Sequence, residues 1–284
     1  MRSPYLHINY DDFNIIIKKL QIILLNLIKT YILILKFSYK ESNMKTVIVT
    51  GASRGIGKSI ALRFAKEKVH MAITCRHNTD MLNEVKDEIL KLGSDCICYT
   101  GDLSLSDNVN YLFNIIEKTY GNVDILINNA GISYIGLINT MSDKDWHKVM
   151  GSNTDSIFYC CRAAIPYMLK KHSGRIINIS SVWGNYGASC EAAYSASKGA
   201  VNTFTKALAK ELAPSGISVN ALACGLIDTD MNNCFTDEEK QDIIQDIPAG
   251  RMGTTEEIAD AVYAISCFSP YITGQIITAD GGWR

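Results

Sequence analysis

Proline is scarce in this 284-residue chain, with five residues, and its nine cysteines contain no Cys-x-x-Cys pair. With 47% hydrophobic and 20% charged residues, the composition excludes disorder, a collagen-like repeat and a disulfide scaffold. The cysteine spacing, Cys96-x-Cys98 and Cys160-Cys161 included, supports neither a zinc ribbon nor a thioredoxin-type motif, and no metal site is expected. An odd number of cysteines in a chain of this length reads as buried or idle thiols of a reducing cytoplasm. A formal net charge of −1 gives no reason to expect nucleic acid as a partner.

Charge and apolar residues are unevenly spread. Residues 1–43 carry six Lys/Arg against three Asp/Glu and are net +3, which leaves residues 44–284 at −4. From Phe13 to Phe37, Ile and Leu fill 14 of 25 positions, and lysine is the only charged residue. The longest uncharged stretch there, Leu20 to Ile28, is too short to span a bilayer. Lys18, Lys29 and Lys36 fall within about 20° of one another on a helical wheel, so a helix here is amphipathic. A membrane-surface or partner helix fits that pattern. A secretory signal does not, for want of a basic start and a small-residue cleavage site. A translation start set too far upstream fits as well, because Met44 stands immediately before the first strand.

From Met44 onward, apolar strand signals alternate with helical periodicity. Strands are expected at Val47–Thr50, Met71–Cys75, Cys96–Thr100, Ile125–Asn128, Arg175–Ser180, Ser218–Ala223 and Ile276–Thr278, with an amphipathic helix around Ser59–Lys68. This alternation predicts an α/β fold: a single-domain, doubly wound parallel sheet with helices on both faces, spanning residues 44–284.

The first strand runs into Thr50-Gly51-Ala52-Ser53-Arg54-Gly55-Ile56-Gly57. Glycines let a backbone turn tightly and approach a pyrophosphate, whose charge then rests on the following helix N-terminus. A lone glycine-rich string is weak, but this one sits between strand and helix, the context that gives it meaning. The second strand ends in Thr74-Cys75-Arg76-His77, without the acidic residue that usually holds the ribose hydroxyls of NAD. Arg76 and Arg54 instead offer two guanidinium groups to a 2′-phosphate, which points to NADP(H); two solvated loop arginines are the bland alternative.

Tyr194-Ser195-Ala196-Ser197-Lys198 sets a phenol and an ammonium four residues apart, on one helix face. A nearby ammonium is expected to lower the phenol pKa from about 10 and make Tyr194 a general acid and base. Ser181, thirteen residues upstream at a strand end, could hold a carbonyl oxygen. Each feature alone is weak.

Taken with the glycine turn, they resemble the short-chain dehydrogenase/reductase family over essentially all of 44–284. The resemblance implies Asn153 as a fourth catalytic member, ordering a water that relays protons to Lys198. It implies cofactor contacts at Gly51, Ser53, Arg54, Gly55, Ile56, Gly57 and Arg76, and at Asp102 and Leu103 beside the adenine. Asn129-Ala130-Gly131 would lie against the cofactor, which Tyr194 and Lys198 also touch, and Ile227 and Thr229 would reach the nicotinamide amide. Arg251-Met252-Gly253, Tyr271-Ile272-Thr273-Gly274-Gln275 and Asp280-Gly281-Gly282 match C-terminal signatures of the family. Cys224-Gly225 departs from its usual Pro-Gly, which loosens the loop without removing a reacting group.

The implied activity is NADPH-dependent reduction of a ketone to a secondary alcohol. Length, Arg251-x-Gly253 and the C-terminal tract resemble bacterial 3-oxoacyl-acyl carrier protein reductases. Ser180-Ser181-Val182-Trp183-Gly184 and Gly187-Ala188-Ser189-Cys190-Glu191 resemble the subgroup that reduces the 5-aminopentanone group on elongation factor P. There Glu191 could pair with the substrate ammonium beside a Trp183 wall, or be a solvated loop residue. Ser215 stands where many acyl carrier protein reductases carry a basic residue, yet Lys170, Lys171 and His172 keep some basic surface for a carrier protein. The family implies a cytoplasmic homotetramer, with membrane contact only through residues 1–43. A dinucleotide-binding sensor of the same fold is the non-enzymatic alternative, and it would not need Asn153, Ser181, Tyr194 and Lys198 together.

Overall fold

The computed structural model describes residues 44–232 and 235–284 and, before them, only Ile23, Leu24, Leu27 and Lys29, all four helical. The amphipathic segment expected ahead of Met44 otherwise lies outside the described residues. The chain divides into two compact units, Met1–Met44 and Lys45–Arg284.

In the larger unit, seven strands form one sheet: β1 (Thr46–Val49), β2 (His70–Cys75), β3 (Asp95–Thr100), β4 (Ile125–Asn128), β5 (Gly174–Ser181), β6 (Ile217–Cys224) and β7 (Ile276–Ala279). All pairings are parallel, in the order β3-β2-β1-β4-β5-β6-β7. Each expected strand is present within one residue at either end. Parallel pairing requires crossovers, and helices supply them: α1 (Gly55–Ala65), α2 (Thr79–Lys91), α3 (Ser106–Tyr120), α4 (Asp143–Met150), α5 (Ser156–Lys171), α6 (Trp183–Tyr186), α7 (Ala192–Leu212), α8 (Asp237–Gln245) and α9 (Thr255–Ser266). The first helix begins four residues before the expected Ser59, because Gly55-Ile56-Gly57 enters the helix despite its poor helix propensity.

Strand periodicity explains the two cores. Val47 and Val49 face one side of the sheet with Ile60 and Phe64 of α1, Leu82 of α2 and Val262 of α9. Ile48, between them, faces the other side with Leu112 of α3, Ile157 and Met168 of α5 and Val201 of α7. A strand sandwiched between helices must be apolar at consecutive positions, which is why β1 reads as a continuous β-branched run. Each fully buried Ile or Leu here adds roughly 1.5–3 kcal/mol. Strand order reverses between β1 and β4, and in such sheets ligands bind at the carboxyl ends beside that reversal.

Candidate active site

The glycine turn leaves β1 at that reversal. Gly51 has φ +67°, and a Cβ on it would stand 2.8 Å from the Ala130 Cα; one on Gly57 would stand 2.2 Å from the Gly51 carbonyl oxygen. Neither position tolerates a side chain. The Asn129 carboxamide donates to the carbonyls of Thr50 (2.9 Å) and Gly51 (3.0 Å). In return, the Thr50 hydroxyl accepts from the backbone N–H groups of Asn129 and Ala130, each at 3.0 Å. One side chain from each strand end therefore fastens β1 to β4. Helix α1 starts behind Arg54 with no side-chain cap, so its first N–H groups are free to hold an anion.

At the end of β2, Arg76 reaches the Asp102 carboxylate at 2.5 Å and the Ser152 hydroxyl at 3.5 Å, while its Nε is buried without an acceptor. Burial opposes ionisation of Asp102, but bonds from the Ser104 hydroxyl and N–H, with Arg76 nearby, hold its carboxyl below the usual range. Arg54, at the turn, pairs with Asp230 at 3.0 Å. Gly55 faces Thr229, whose Cγ2 would lie 3.6 Å from an added Cβ. A bare turn, an uncapped helix start and an orphaned guanidinium nitrogen fit a dinucleotide bearing a 2′-phosphate.

Strand β5 and helix α7 bring the expected catalytic side chains to the cleft. Ser181 ends β5, and its Oγ accepts from the Trp183 N–H at 3.2 Å. Tyr194 and Lys198 lie one turn apart on α7, with the Lys198 Nζ 5.7 Å from the Tyr194 ring centre and donating to the Ile179 carbonyl at 2.8 Å. Helix α7 is locked to β5 by the Ser180 hydroxyl, which donates to Asn202 Oδ1 at 2.6 Å, and Asn202 donates onward to Asn185. Gly184 of α6 sits so close to α7 that a Cβ would be 2.7 Å from the Lys198 carbonyl carbon.

The expected lowering of the Tyr194 pKa by Lys198 is not what the structure shows. Burial raises the phenol above its usual value, and the Ser181 hydrogen bond pulls it only partly back. Burial also pushes the Lys198 ammonium down to about 8. Desolvation is the largest influence on both groups, and the Lys198 Nζ is committed to a backbone carbonyl. The phenol is consequently protonated at neutral pH, the state a proton donor needs.

Asn153 alone among the predicted site residues does not line the shared cleft of about 860 Å³. It is fully buried in a π-helical turn, Gly151–Asp155, between α4 and α5. Its Oδ1 accepts from Ile132 N–H at 2.8 Å, and its Nδ2 donates to the Ile132 carbonyl and to the Ser197 hydroxyl, both at 2.9 Å. Ser197 in turn donates to the Tyr194 carbonyl at 2.7 Å. The carboxamide thus braces the loop after β4 against α7.

Away from the glycine turn, the cleft is also lined by Trp183, Glu191, Ile135, Met231, Phe235, Ile243 and Trp283. Glu191 is partly buried, which raises its carboxyl pKa, and accepts from the Ser133 hydroxyl at 3.1 Å. No cation among the described residues pairs with it. Trp283 meets Trp183 edge-on at 5.0 Å, with the Arg284 guanidinium over both rings. The sequence gives no sign of Trp283 or Ile243 at the cleft, because nothing local marks residues brought in from 100 and 60 positions beyond Trp183. The C-terminal signatures serve the scaffold: Arg251 grips Glu257 at 2.9 and 2.6 Å, and Gly253 exchanges backbone bonds with Leu226 and Asp228. Among the described residues, no group of three or more His, Cys, Asp or Glu could hold a metal, and no helix is long and apolar enough to cross a membrane.

Residues 45–240 match the family described as short chain dehydrogenase. An uncharacterized oxidoreductase, YmfI, of Bacillus subtilis is 39% identical over 242 residues, covering 84% of this chain and 99% of that protein. The 3-oxoacyl-[acyl-carrier-protein] reductase FabG of Staphylococcus aureus is 39% identical over 239 residues, covering 84% and 97%. Among solved structures, YwfH, an NADPH-dependent reductase involved in bacilysin biosynthesis, superposes with a TM-score of 0.81 at 30% identity, covering 85% of this chain and 99% of that one.

Proposed function

Since the chain belongs to the short-chain dehydrogenase family and is an NADP-dependent oxidoreductase of CH–OH and C=O groups, we propose that Tyr194, Ser181, Lys198 and Asn153 carry out its reduction of a ketone. The observation that carries this is that Ser181, Tyr194 and Lys198 line the same cleft as the glycine turn, with the Lys198 Nζ 5.7 Å from the Tyr194 ring centre. The glycine turn, Arg54, Arg76, Asp102, Leu103, Asn129, Ala130, Gly131, Ile227 and Thr229 would hold NADPH, which when bound supplies the hydride. Ser181 donates a hydrogen bond to the substrate oxygen, and Tyr194 gives that oxygen its proton as negative charge develops there. Lys198, protonated below about pH 8, is the positive charge nearest the emerging phenolate and the source of its replacement proton. Asn153 holds the geometry by bracing α7. Turnover of Tyr194→Phe tests the assignment, and turnover of the parent on any ketone separates an enzyme from a dinucleotide sensor.

For the substrate, the sharper proposal is the 5-aminopentanone group on elongation factor P. It is supported by Glu191, a carboxylate without a cation in an aromatic-walled cleft, where a substrate ammonium would supply the missing charge. The likeness to FabG favours a second reading, a 3-oxoacyl group on acyl carrier protein. For that partner the basic surface is smaller than the sequence suggests, because Lys171 is paired with Asp124 and Lys170 lies over Tyr167. NADPH consumption by residues 44–284 on an acetoacetyl thioester and on the aminopentanone-bearing factor decides between them.

We also propose a cytoplasmic homotetramer assembled through the helices near Asn153 and Tyr194. Leu105, Tyr111, Trp146 and Phe158 expose apolar surface on or beside α3, α4 and α5, where an interface could cover it. Light scattering of the purified protein measures this. The division into an N-terminal extension, 1–43, and a catalytic domain, 44–284, is proposed on the same footing, and activity of the 44–284 protein tests it.

A further inference from the structure

Both arginines at the 2′-phosphate corner already hold carboxylates, but the two carboxylates are not equivalent. Asp102 has other duties, accepting from the N–H and hydroxyl of Ser104 at 3.0 and 2.7 Å. Asp230 has no side-chain partner among the described residues except Arg54, 176 positions away in sequence. It belongs to the segment 227–232, which Asn232 closes on itself by donating to the Ile227 carbonyl at 2.6 Å. This segment also places Thr229 opposite Gly55. A single ion pair therefore joins the glycine turn to the segment on the far side of the cofactor groove.

We infer that Asp230 is a determinant of cofactor selectivity: its carboxylate competes with the 2′-phosphate for Arg54. The inference rests on the assignment of Arg54 to that phosphate. A phosphate monoester can take the guanidinium in exchange for the carboxylate, because it offers more charge and more acceptor oxygens. The 2′-hydroxyl of NADH can do neither, so for NADH the Arg54–Asp230 pair simply persists. Every NADPH bound must break the pair, and every NADH bound need not. Asp230 thus narrows the preference for NADPH below what the two arginines alone would give. Both side chains are more than half exposed, at 57% and 55%, so the competition is screened and its effect is a few-fold rather than a hundred-fold.

The test is equilibrium titration with NADPH and with NADH, followed by nucleotide fluorescence, on the parent, Asp230→Asn, Arg54→Ala and the double variant. Asp230→Asn keeps shape and removes charge. It is expected to tighten NADPH by about threefold and leave NADH unchanged, and most of that gain should vanish when Arg54 is Ala. The parent's advantage for NADPH should also respond to salt less steeply than that of Asp230→Asn, since one charge contact is exchanged for another. If Arg54→Ala does not weaken NADPH, Arg54 is not at the phosphate and the inference falls with that assignment. If Arg54→Ala weakens NADPH but Asp230→Asn changes nothing, or tightens both nucleotides alike, the assignment stands and the competition is refuted. A gain that persists undiminished in the double variant refutes it too, because Asp230 would then act on the phosphate without Arg54.

Discussion

The two walls of the cleft are built by different means. The glycine-turn wall is shaped by backbone: glycines that admit no Cβ, a helix start without a cap, and strand ends stapled by Asn129 and Thr50. The wall we propose for the substrate draws instead on side chains of α6, the start of α7, the segment after β6, α8 and the chain's last residues. A wall made of backbone has little freedom to vary without losing its shape. A wall made of side chains can be rewritten one residue at a time while the fold stands. The lesson is that reaction and cofactor are general properties of this architecture, and substrate choice is a local one.

The most forceful way to break this division is at its seam. Tyr194→Phe should lower kcat on the order of 10²-fold or more and leave NADPH affinity nearly unchanged. Near-normal turnover of that variant would remove Tyr194 from the chemistry. On the cofactor side, Arg76→Ala should raise KM for NADPH while that for NADH holds. The loss of a charge-assisted hydrogen bond is worth roughly 1.5–3 kcal/mol, or tenfold and upward. Equal parent rates with both nucleotides would show that the corner does not read the phosphate.

Smaller effects sharpen the contrast. Glu191→Gln should cost a few-fold to tens-fold on an ammonium-bearing ketone, about 1–2 kcal/mol for a partly screened pair, and nothing on an acetoacetyl thioester. If both substrates are unaffected, Glu191 has no part in recognition. The smallest effect is on pH. Lys198 titrates near 8 and is charged below that value, so reduction should weaken as pH rises through it. Between pH 7 and 8, kcat should fall about twofold; a flat profile to pH 9 would show that the ammonium is not the proton source.

What the sequence made legible divides along the same line. The seven strands and the glycine turn were readable because parallel burial forces β-branched runs, and a sharp turn forces glycine. The start of α1 was misplaced where tertiary packing overrides the poor helix propensity of Gly55 and Gly57. Tyr194 and Lys198 were visible as a one-turn spacing, but the direction of the phenol's shift was not, because burial depends on the whole fold. Asn153 was found by resemblance, whereas its π-helical turn has no local signal. Neither the arrival of Trp283 beside Trp183 nor the grip of Asp230 on Arg54 could be read from residues so far apart in the chain.

The staple between Asn129 and the glycine turn has a consequence for the order of events at the ribosome. Thr50 and Gly51 emerge 79 and 78 residues before the carboxamide that holds their carbonyls. At about 5–20 residues per second, that interval is roughly 4–16 seconds of synthesis. Until β4 arrives, β1 lacks one of its two neighbours and the turn lacks its clamp, so the nascent chain has no finished place for a nucleotide. Cofactor capture is therefore expected late in the protein's biogenesis, although the residues we propose to receive the pyrophosphate are among the first of the sheet to be made.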